Sequence, residues 1–350
     1  MLKNLSKFYL SKIDPELAHK IAIKLIKNNY LFSSLCLNQT RENIHQELFN
    51  LNFKSPVGLA AGFDKNGEIY NQVNKLGFGF SEIGTITPKP QFGNPKPRVF
   101  RLPEDNAIIN RLGFPNDGMK TIKKRIESNL PKGICGINIG PNKENALLQE
   151  DYLRCFDYFY DVASYLAINI SSPNTPDLRL QHKKENISDL IENIRKHRDG
   201  KKTKVPILVK VSPDIDDQEI KELSDIFIKK KVDGIILTNT TINNKQRLLS
   251  KYKNEVGGLS GKPLHNHSNV IIKKFYKYLK GSIPIIGVGG ISDGISAYEK
   301  IKSGASLLQL YTSLVYQGPF VANKINKELS NLVEADGFSN ISQAIGSNCK

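Results

Sequence analysis

A lysine inside an apolar strand is a costly placement, and this sequence has one. Lys210 stands in the run Ile207, Leu208, Val209, Lys210, Val211. An ammonium taken out of water needs a negative partner or a task. A cation held in a pocket wall can stabilise negative charge on a bound ring system such as a reduced flavin; a structural ion pair is the plainer alternative. Lys65 follows Ala61, Gly62, Phe63 and Asp64 at the end of another apolar run, where a solvated loop lysine is the plainer alternative. Five asparagines, Asn110, Asn138, Asn169, Asn174 and Asn239, fall at the ends of such runs or in the loops after them. Each amide offers a paired donor and acceptor, which together suit a planar imide such as a pyrimidine, although singly each could be a turn residue. Gly287, Gly289 and Gly290, with Tyr311, Thr312 and Ser313, stand at the C-terminal ends of the last two runs or just after them. Glycines let backbone N–H groups approach a phosphate closely.

These residues need elements to hold them. Eight short aliphatic runs occur in order, at 56–62, 80–87, 134–140, 165–171, 206–212, 233–240, 283–289 and 306–312. Most are continuously apolar, as strands buried on both faces of a parallel sheet are. Helical patterns lie between them, as at 216–230 and 294–303. Eight alternations predict a (β/α)8 barrel, an α/β fold, with a doubly wound open sheet as the alternative. Every run turns polar or glycine-rich at its C-terminal end. In a barrel that end carries the active site, and phosphates sit in the loops after strands seven and eight. Two insertions stand out. Residues 88–116 are proline-rich and are expected to cross the mouth as a lid or short extra strands. Residues 243–267 contain GGLSG at 257–261 and are expected to form a flexible loop before the seventh strand.

Composition narrows the class. The chain has 350 residues, 39% hydrophobic and 24% charged, which suits a packed globular protein. Its four cysteines, Cys36, Cys135, Cys155 and Cys349, form no paired motif, so neither a zinc site nor a disulfide framework is expected. The net charge of +16 is spread along ordinary helical stretches, which argues against a dedicated nucleic-acid stripe. No run approaches the roughly 20 apolar residues of a spanning helix. Lys3, Lys7, Lys12, Lys20 and Lys24 interrupt what would have to be the core of a signal peptide.

The first 45 residues read as two short amphipathic helices. Asp14, Pro15 and Glu16 make a helix start, and Leu17, Ile21, Leu25 and Ile26 follow at helical spacing. Before them Leu2, Leu5, Phe8 and Tyr9 recur between lysines. The pair either packs on the barrel floor or dips into anionic lipid.

The motif set resembles that of the class 2, quinone-dependent dihydroorotate dehydrogenases. The matching strings are DPE at 14–16, LAAGFDKNG at 59–67, EIGTITP at 82–88, PRVFRL at 97–102, NRLGF at 110–114, GINIG at 136–140, NISSPNTP at 169–176, TNTT at 238–241, GGLSG at 257–261 and GGI at 289–291. They run in family order over nearly the whole chain. The resemblance implies oxidation of dihydroorotate to orotate in pyrimidine synthesis, with one FMN per subunit and a membrane quinone as co-substrate. It implies Ser172 as the base that takes the C5 proton, with Thr175 and Phe114 shaping a proton path. A serine hydroxyl is a weak base near neutral pH and needs such a relay.

For the substrate the resemblance implies Lys65, Asn110, Arg111, Leu112, Gly113, Phe114, Asn169, Asn174, Asn239 and Thr240. For FMN it implies Ala61, Gly62, Phe63, Asp64, Lys65, Thr85, Asn138, Asn169, Lys210, Thr238, Gly261, Gly290, Tyr311 and Thr312. His19 and Arg101 match residues at the quinone tunnel. Soluble relatives use cysteine at the base position, and Ser172 together with the N-terminal helices points to quinone as oxidant. Phe63 stands where the family often has leucine. Pro115 replaces an expected asparagine, which puts the backbone path of the substrate loop in question.

The domains expected are a helical membrane and quinone-access segment at 1–45, an FMN-binding barrel at 46–335 and a tail at 336–350. A monomer is expected, held peripherally by anionic lipid on the cytoplasmic side of a bacterial inner membrane, with no nucleic-acid partner and no metal. The rivals are a soluble dihydroorotate dehydrogenase using fumarate or NAD and a tRNA-dihydrouridine synthase, which would use the positive charge on RNA. A non-enzymatic nucleic-acid module would leave the strand-end residues unexplained.

Overall fold

A computed structural model describes residues 13–28, 41–145, 149–172 and 184–349. A hairpin, β1 (Gln46–Leu48) and β2 (Leu51–Phe53), leads into β3 (Val57–Leu59) and β4 (Phe80–Ile86). The first insertion forms β5 (Val99–Leu102) and β6 (Ala107–Asn110). Then come β7 (Ile134–Ile139), β8 (Tyr165–Asn169), β9 (Ile207–Val211), β10 (Gly234–Leu237), β11 (Gly258–Gly261), β12 (Ile285–Val288) and β13 (Leu307–Leu310). Eight of these, β3, β4, β7, β8, β9, β10, β12 and β13, close into a parallel barrel in which β13 pairs back onto β3. All eight predicted runs contain a barrel strand. The helices are α1 (Pro15–Lys27), α2 (Gly118–Ser128), α3 (Glu150–Phe159), α4 (Lys184–Asp199), α5 (Asp217–Lys229), α6 (His265–Leu279), α7 (Gly294–Lys302), α8 (Thr312–Gln317) and α9 (Val321–Ala335).

The barrel is filled, not hollow. Phe80, Tyr165, Ala167, Leu208, Ile236, Ile286 and Leu307 meet inside it, and Phe53 of the hairpin closes the floor. Gly58 and Gly136 have no side chain because the rings of Phe80 and Tyr165 occupy the space a Cβ would need. The opposite faces of the strands pack on the surrounding helices, which explains why the runs lack polar alternation.

Over the mouth lies an antiparallel sheet in the order β5-β6-β11. The first insertion therefore forms the expected lid. The second is more ordered than the sequence suggested: the last four residues of GGLSG form strand β11, with Gly257 before it and Gly261 at its end at φ 134° and 96° where the strand meets β6. The tail after α9 packs back on the body, with Ile341 and Ala344 buried.

Helix α1 starts as predicted, with the Asp14 carboxylate accepting from the Leu17 N–H at 2.9 Å and Pro15 in the first turn. Of the two alternatives for it, the barrel floor is not where it lies. The hairpin holds the floor, and α1 lies at the mouth, with His19 edge-on to Phe63 after β3 and Glu16 paired with Arg98 beside β5. Its buried residues are Ile23 and Ile26, while Leu17 and Leu25 are exposed. The helix is apolar on two sides, so only one of them serves the barrel. Residues 2–9 lie outside the described residues.

Arg98 is the clasp between α1 and the lid. Its Nε and Nη2 each donate to Glu16 at 2.9 Å, and Nη1 donates to the carbonyls of Phe92 and Asn94 at 2.5 and 2.8 Å. Arg98 holds the Glu16 carboxyl below its ordinary range. A depressed carboxylate contributes stability that is complete above its unfolded value and is lost as pH falls through the folded one. Glu16→Gln should therefore lower stability at pH 7 by about 1.5–3 kcal/mol, read as a drop in melting temperature, and cost less at pH 3 than at pH 7. An equal loss at both pH values in thermal melts would exclude this clasp.

Candidate active site

The strand ends, β6 and β11 enclose a cavity of about 1200 Å³, counted out to its solvent opening. On one side β8 and β9 run in register, Asn169 opposite Lys210, and both residues face the cavity, as does Ser172 just beyond β8. Ser172 is 4% exposed and Lys210 is 5% exposed. Burial pulls the Lys210 ammonium below its ordinary range, opposed by the charge of Glu82.

Glu82 on β4 is fully buried and saturated with neutral donors. Asn138 Nδ2 reaches it at 2.8 Å, the Tyr165 hydroxyl at 2.9 Å and Gln309 Nε2 at 2.7 Å. These keep the carboxylate satisfied, while Lys210 pairs with no described acid. The chain of hydrogen bonds continues upward. Thr85 Oγ1 donates to Asn138 Oδ1 at 2.6 Å, and Asn169 Nδ2 donates to Thr85 Oγ1 at 2.9 Å. Asn169 Oδ1 accepts from the Ser171 N–H and hydroxyl at 3.2 and 3.1 Å, and Asn239 Nδ2 donates to Ser171 Oγ at 2.9 Å. One buried carboxylate thus orients side chains at four strand ends in turn, and fixed dipoles of this kind are what a site needs to stabilise charge. Because Glu82 requires a donor, the Gln309 amide must turn its Nε2 toward it. Gln309 Oε1 is left buried without a partner among the described residues, in the cavity wall.

The loop after β6 supplies another wall through Asn110, Leu112, Gly113, Phe114 and Pro115. Its path past Pro115 is pinned from outside. Gln91 Nε2 donates to the carbonyls of Gly113 and Phe114 at 3.1 Å each, and Asn116 Nδ2 donates to that of Phe114 at 2.9 Å. Lys65 also lines the cavity, and burial of its ammonium lowers it to about 8, against the pull of Glu16 and Asp64.

Most of the predicted ligand residues converge here: Ala61, Gly62, Lys65, Thr85, Asn110, Leu112, Gly113, Phe114, Asn169, Ser172, Lys210, Thr238, Asn239, Thr240, Gly261, Gly290, Tyr311 and Thr312. Four others do not line the cavity. Arg111 turns outward to Glu255 at 2.7 Å and over the Phe100 ring. Asp64 accepts from the Glu68 and Ile69 N–H groups, at 2.7 and 2.8 Å, and holds the turn after β3. Asn138 is spent on Glu82 and Thr85, and Phe63 packs between His19 and Tyr311. Asn174 and Thr175 lie outside the described residues. Glu82 and Gln309 are site residues outside the predicted set; an acid inside a buried strand is the same signal that singles out Lys210.

The family model described as dihydroorotate dehydrogenase matches residues 43–333. The chain belongs to that family. A Bartonella tribocorum protein named dihydroorotate dehydrogenase (quinone) is 43% identical over 95% of this chain and 92% of its own length. One of the same name from Christiangramia forsetii is 44% identical over 94% of this chain and 98% of its own. The ligand-free dihydroorotate dehydrogenase structure from Eimeria tenella superposes with a TM-score of 0.92 at 38% identity, over 96% of this chain and all of that one.

Within this dihydroorotate dehydrogenase fold, an aromatic row joins α1 to the cavity. His19 meets Phe63 at 4.9 Å between centroids, and Phe63 meets Tyr311 at 5.3 Å, both edge-on. Burial and the Lys65 charge depress His19 to about 3, so it is neutral at physiological pH. Arg101 donates to the Ile13 carbonyl at the start of α1. Among the described residues no cluster of His, Cys, Asp or Glu could hold a metal, and no helix is long and apolar enough to cross a membrane.

Proposed function

We propose that the cavity seats FMN along β9 and β13 and dihydroorotate under the loop after β6, so that the two meet beside Ser172. The enzyme oxidises dihydroorotate to orotate with a quinone as electron acceptor. The observation that carries the seating is a buried cation and an unpartnered buried acceptor, Lys210 and Gln309 Oε1, in the wall of one cavity. An isoalloxazine fits that pair, having an edge that takes negative charge and a ring N–H. Its phosphate fits the backbone of Gly289 and Gly290, left-handed at φ 112° and 74°, beside Thr312 and Ser313.

Bound FMN would take two electrons from dihydroorotate and pass them to the quinone. The protein supplies the rest. Lys210 would offset negative charge on the bound ring, and Gln309, oriented by Glu82, would present its free Oε1 as the acceptor for a ring N–H. Lys65, Asn110, Asn239 and Thr240 hold the substrate's carbonyl and carboxylate groups, and Ser172 receives the C5 proton. Two protons and two electrons leave dihydroorotate, and the quinone becomes a quinol.

The row His19, Phe63 and Tyr311 supports a quinone path beginning at α1. The exposed Leu17 and Leu25, with exposed Lys20, Lys24 and Lys27, suit peripheral contact with anionic lipid. This reading places a monomer on the cytoplasmic face of a bacterial inner membrane. One experiment tests both parts. Anaerobic mixing with dihydroorotate should bleach a bound flavin, and quinone presented in anionic vesicles should restore its colour while the protein sediments with the vesicles. A colourless protein, or one left in the supernatant, would refute the corresponding part.

A further inference from the structure

Lys300 of α7 has no solvent exposure. Its stem runs inward over β12: a Cβ on Gly287 would lie 2.7–2.8 Å from Lys300 Cδ and Cγ, so the strand has a glycine where the lysine passes. The ammonium donates to Ser268 Oγ and, at 2.6 Å, to Asn269 Oδ1 of α6. It pairs with no acid among the described residues. The adjacent carboxylate, Glu299, is half exposed and engaged by His265 Nε2 at 2.7 Å. Burial lowers the Lys300 ammonium to about 7, against the pull of Glu299. A wholly buried cation with two neutral acceptors is costly to keep unless another charge offsets it.

The loop in front of it is the glycine pair of the cavity wall. Ser268 Oγ, which accepts from Lys300, has two acceptors for its own proton, the Gly289 carbonyl at 3.4 Å and the His265 carbonyl at 3.3 Å. Gly290 lies flat on the first turn of α6, where a Cβ would come 2.5–2.7 Å from the N, Cα and Cβ of His265. The ammonium is therefore one side chain behind the backbone that lines the site.

We infer that Lys300 is a positioning residue for the cofactor phosphate, a buried cation that offsets the phosphate charge from behind Gly289 and Gly290 and holds that loop through Ser268. This rests on the reading of the glycine pair as the phosphate seat. Each charge reduces the burial cost of the other, and at the effective dielectric of a protein interior an interaction across one side chain is worth roughly tenfold in affinity.

The test follows flavin release on dilution of the holoenzyme by the rise in fluorescence, for FMN and for protein reloaded with riboflavin, which lacks the phosphate. Wild type should release riboflavin much faster than FMN; equal release would remove the phosphate seat itself and the Lys300 assignment with it. Given that difference, Lys300→Met, which keeps the length of the stem, should speed FMN release about tenfold and leave riboflavin release unchanged. Equal loosening of both flavins, or no change for FMN, would overturn the inference. Should the methionine variant fail to fold, Ser268→Ala severs the link to the loop with the charge in place. It is expected to loosen FMN selectively, and a loss shared by riboflavin, or none, would overturn the inference equally.

Discussion

Ser172→Ala should slow bleaching of the bound flavin by dihydroorotate by about 10²–10⁴-fold at neutral pH, the usual worth of a positioned general base. Flavin content should not change, because the hydroxyl contributes no predicted cofactor contact. The deficit should narrow as pH rises and hydroxide replaces the missing acceptor. Ser172 is buried at the end of β8, where the Asn169, Ser171 and Asn239 hydrogen bonds fix the backbone that carries it. The substitution removes one oxygen and leaves the Asn169, Ser171 and Asn239 hydrogen bonds in place, so a large rate loss at unchanged flavin content and melting temperature is assigned to chemistry. Bleaching within a factor of three of wild type in stopped-flow would eliminate Ser172 as the proton acceptor.

Lys210→Met should slow the same step by about 10²–10³-fold, as loss of one preorganised charge in a water-poor site does. The methionine fills the volume, and the strand should not suffer: β9 is apolar on both sides of position 210, and removing an unpaired buried cation relieves its desolvation. The variant is therefore expected to melt no lower than wild type while reducing its flavin slowly. A protein that loses stability but reduces its flavin at the normal rate would reverse the assignment and make Lys210 a structural charge balancing Glu82.

Much of this architecture is legible in the sequence for simple reasons. Strands buried on both faces are continuous aliphatic runs, and barrel strands end in the residues of the site, so both their number and their C-terminal ends can be read directly. What could not be read was direction. Arg111 sits in a substrate-loop motif, yet its guanidinium found Glu255, a residue 144 positions away, because the two insertions fold into one sheet. Asn138 lies at a strand end like its fellow asparagines, but it points at Glu82 instead of the cavity. The placement of α1 at the mouth was hidden because the floor was taken by a hairpin of only six paired residues, β1 and β2. Glu82 breaks an apolar strand just as Lys210 does, but the three donors that hold it come from three other strands and cannot be read from its neighbours in sequence.

The roof of the mouth is woven from two separate stretches of chain, with β11 hydrogen-bonded along β6 and the Arg111–Glu255 pair fastening the outer edge. Neither stretch can be exchanged with that of a relative on its own. A chimaera carrying a foreign 88–116 segment against the native 243–267 segment would mismatch both the ladder and the pair, whereas transplanting the two together would preserve them. Grafting of substrate preference between members of this family should respect that two-part unit.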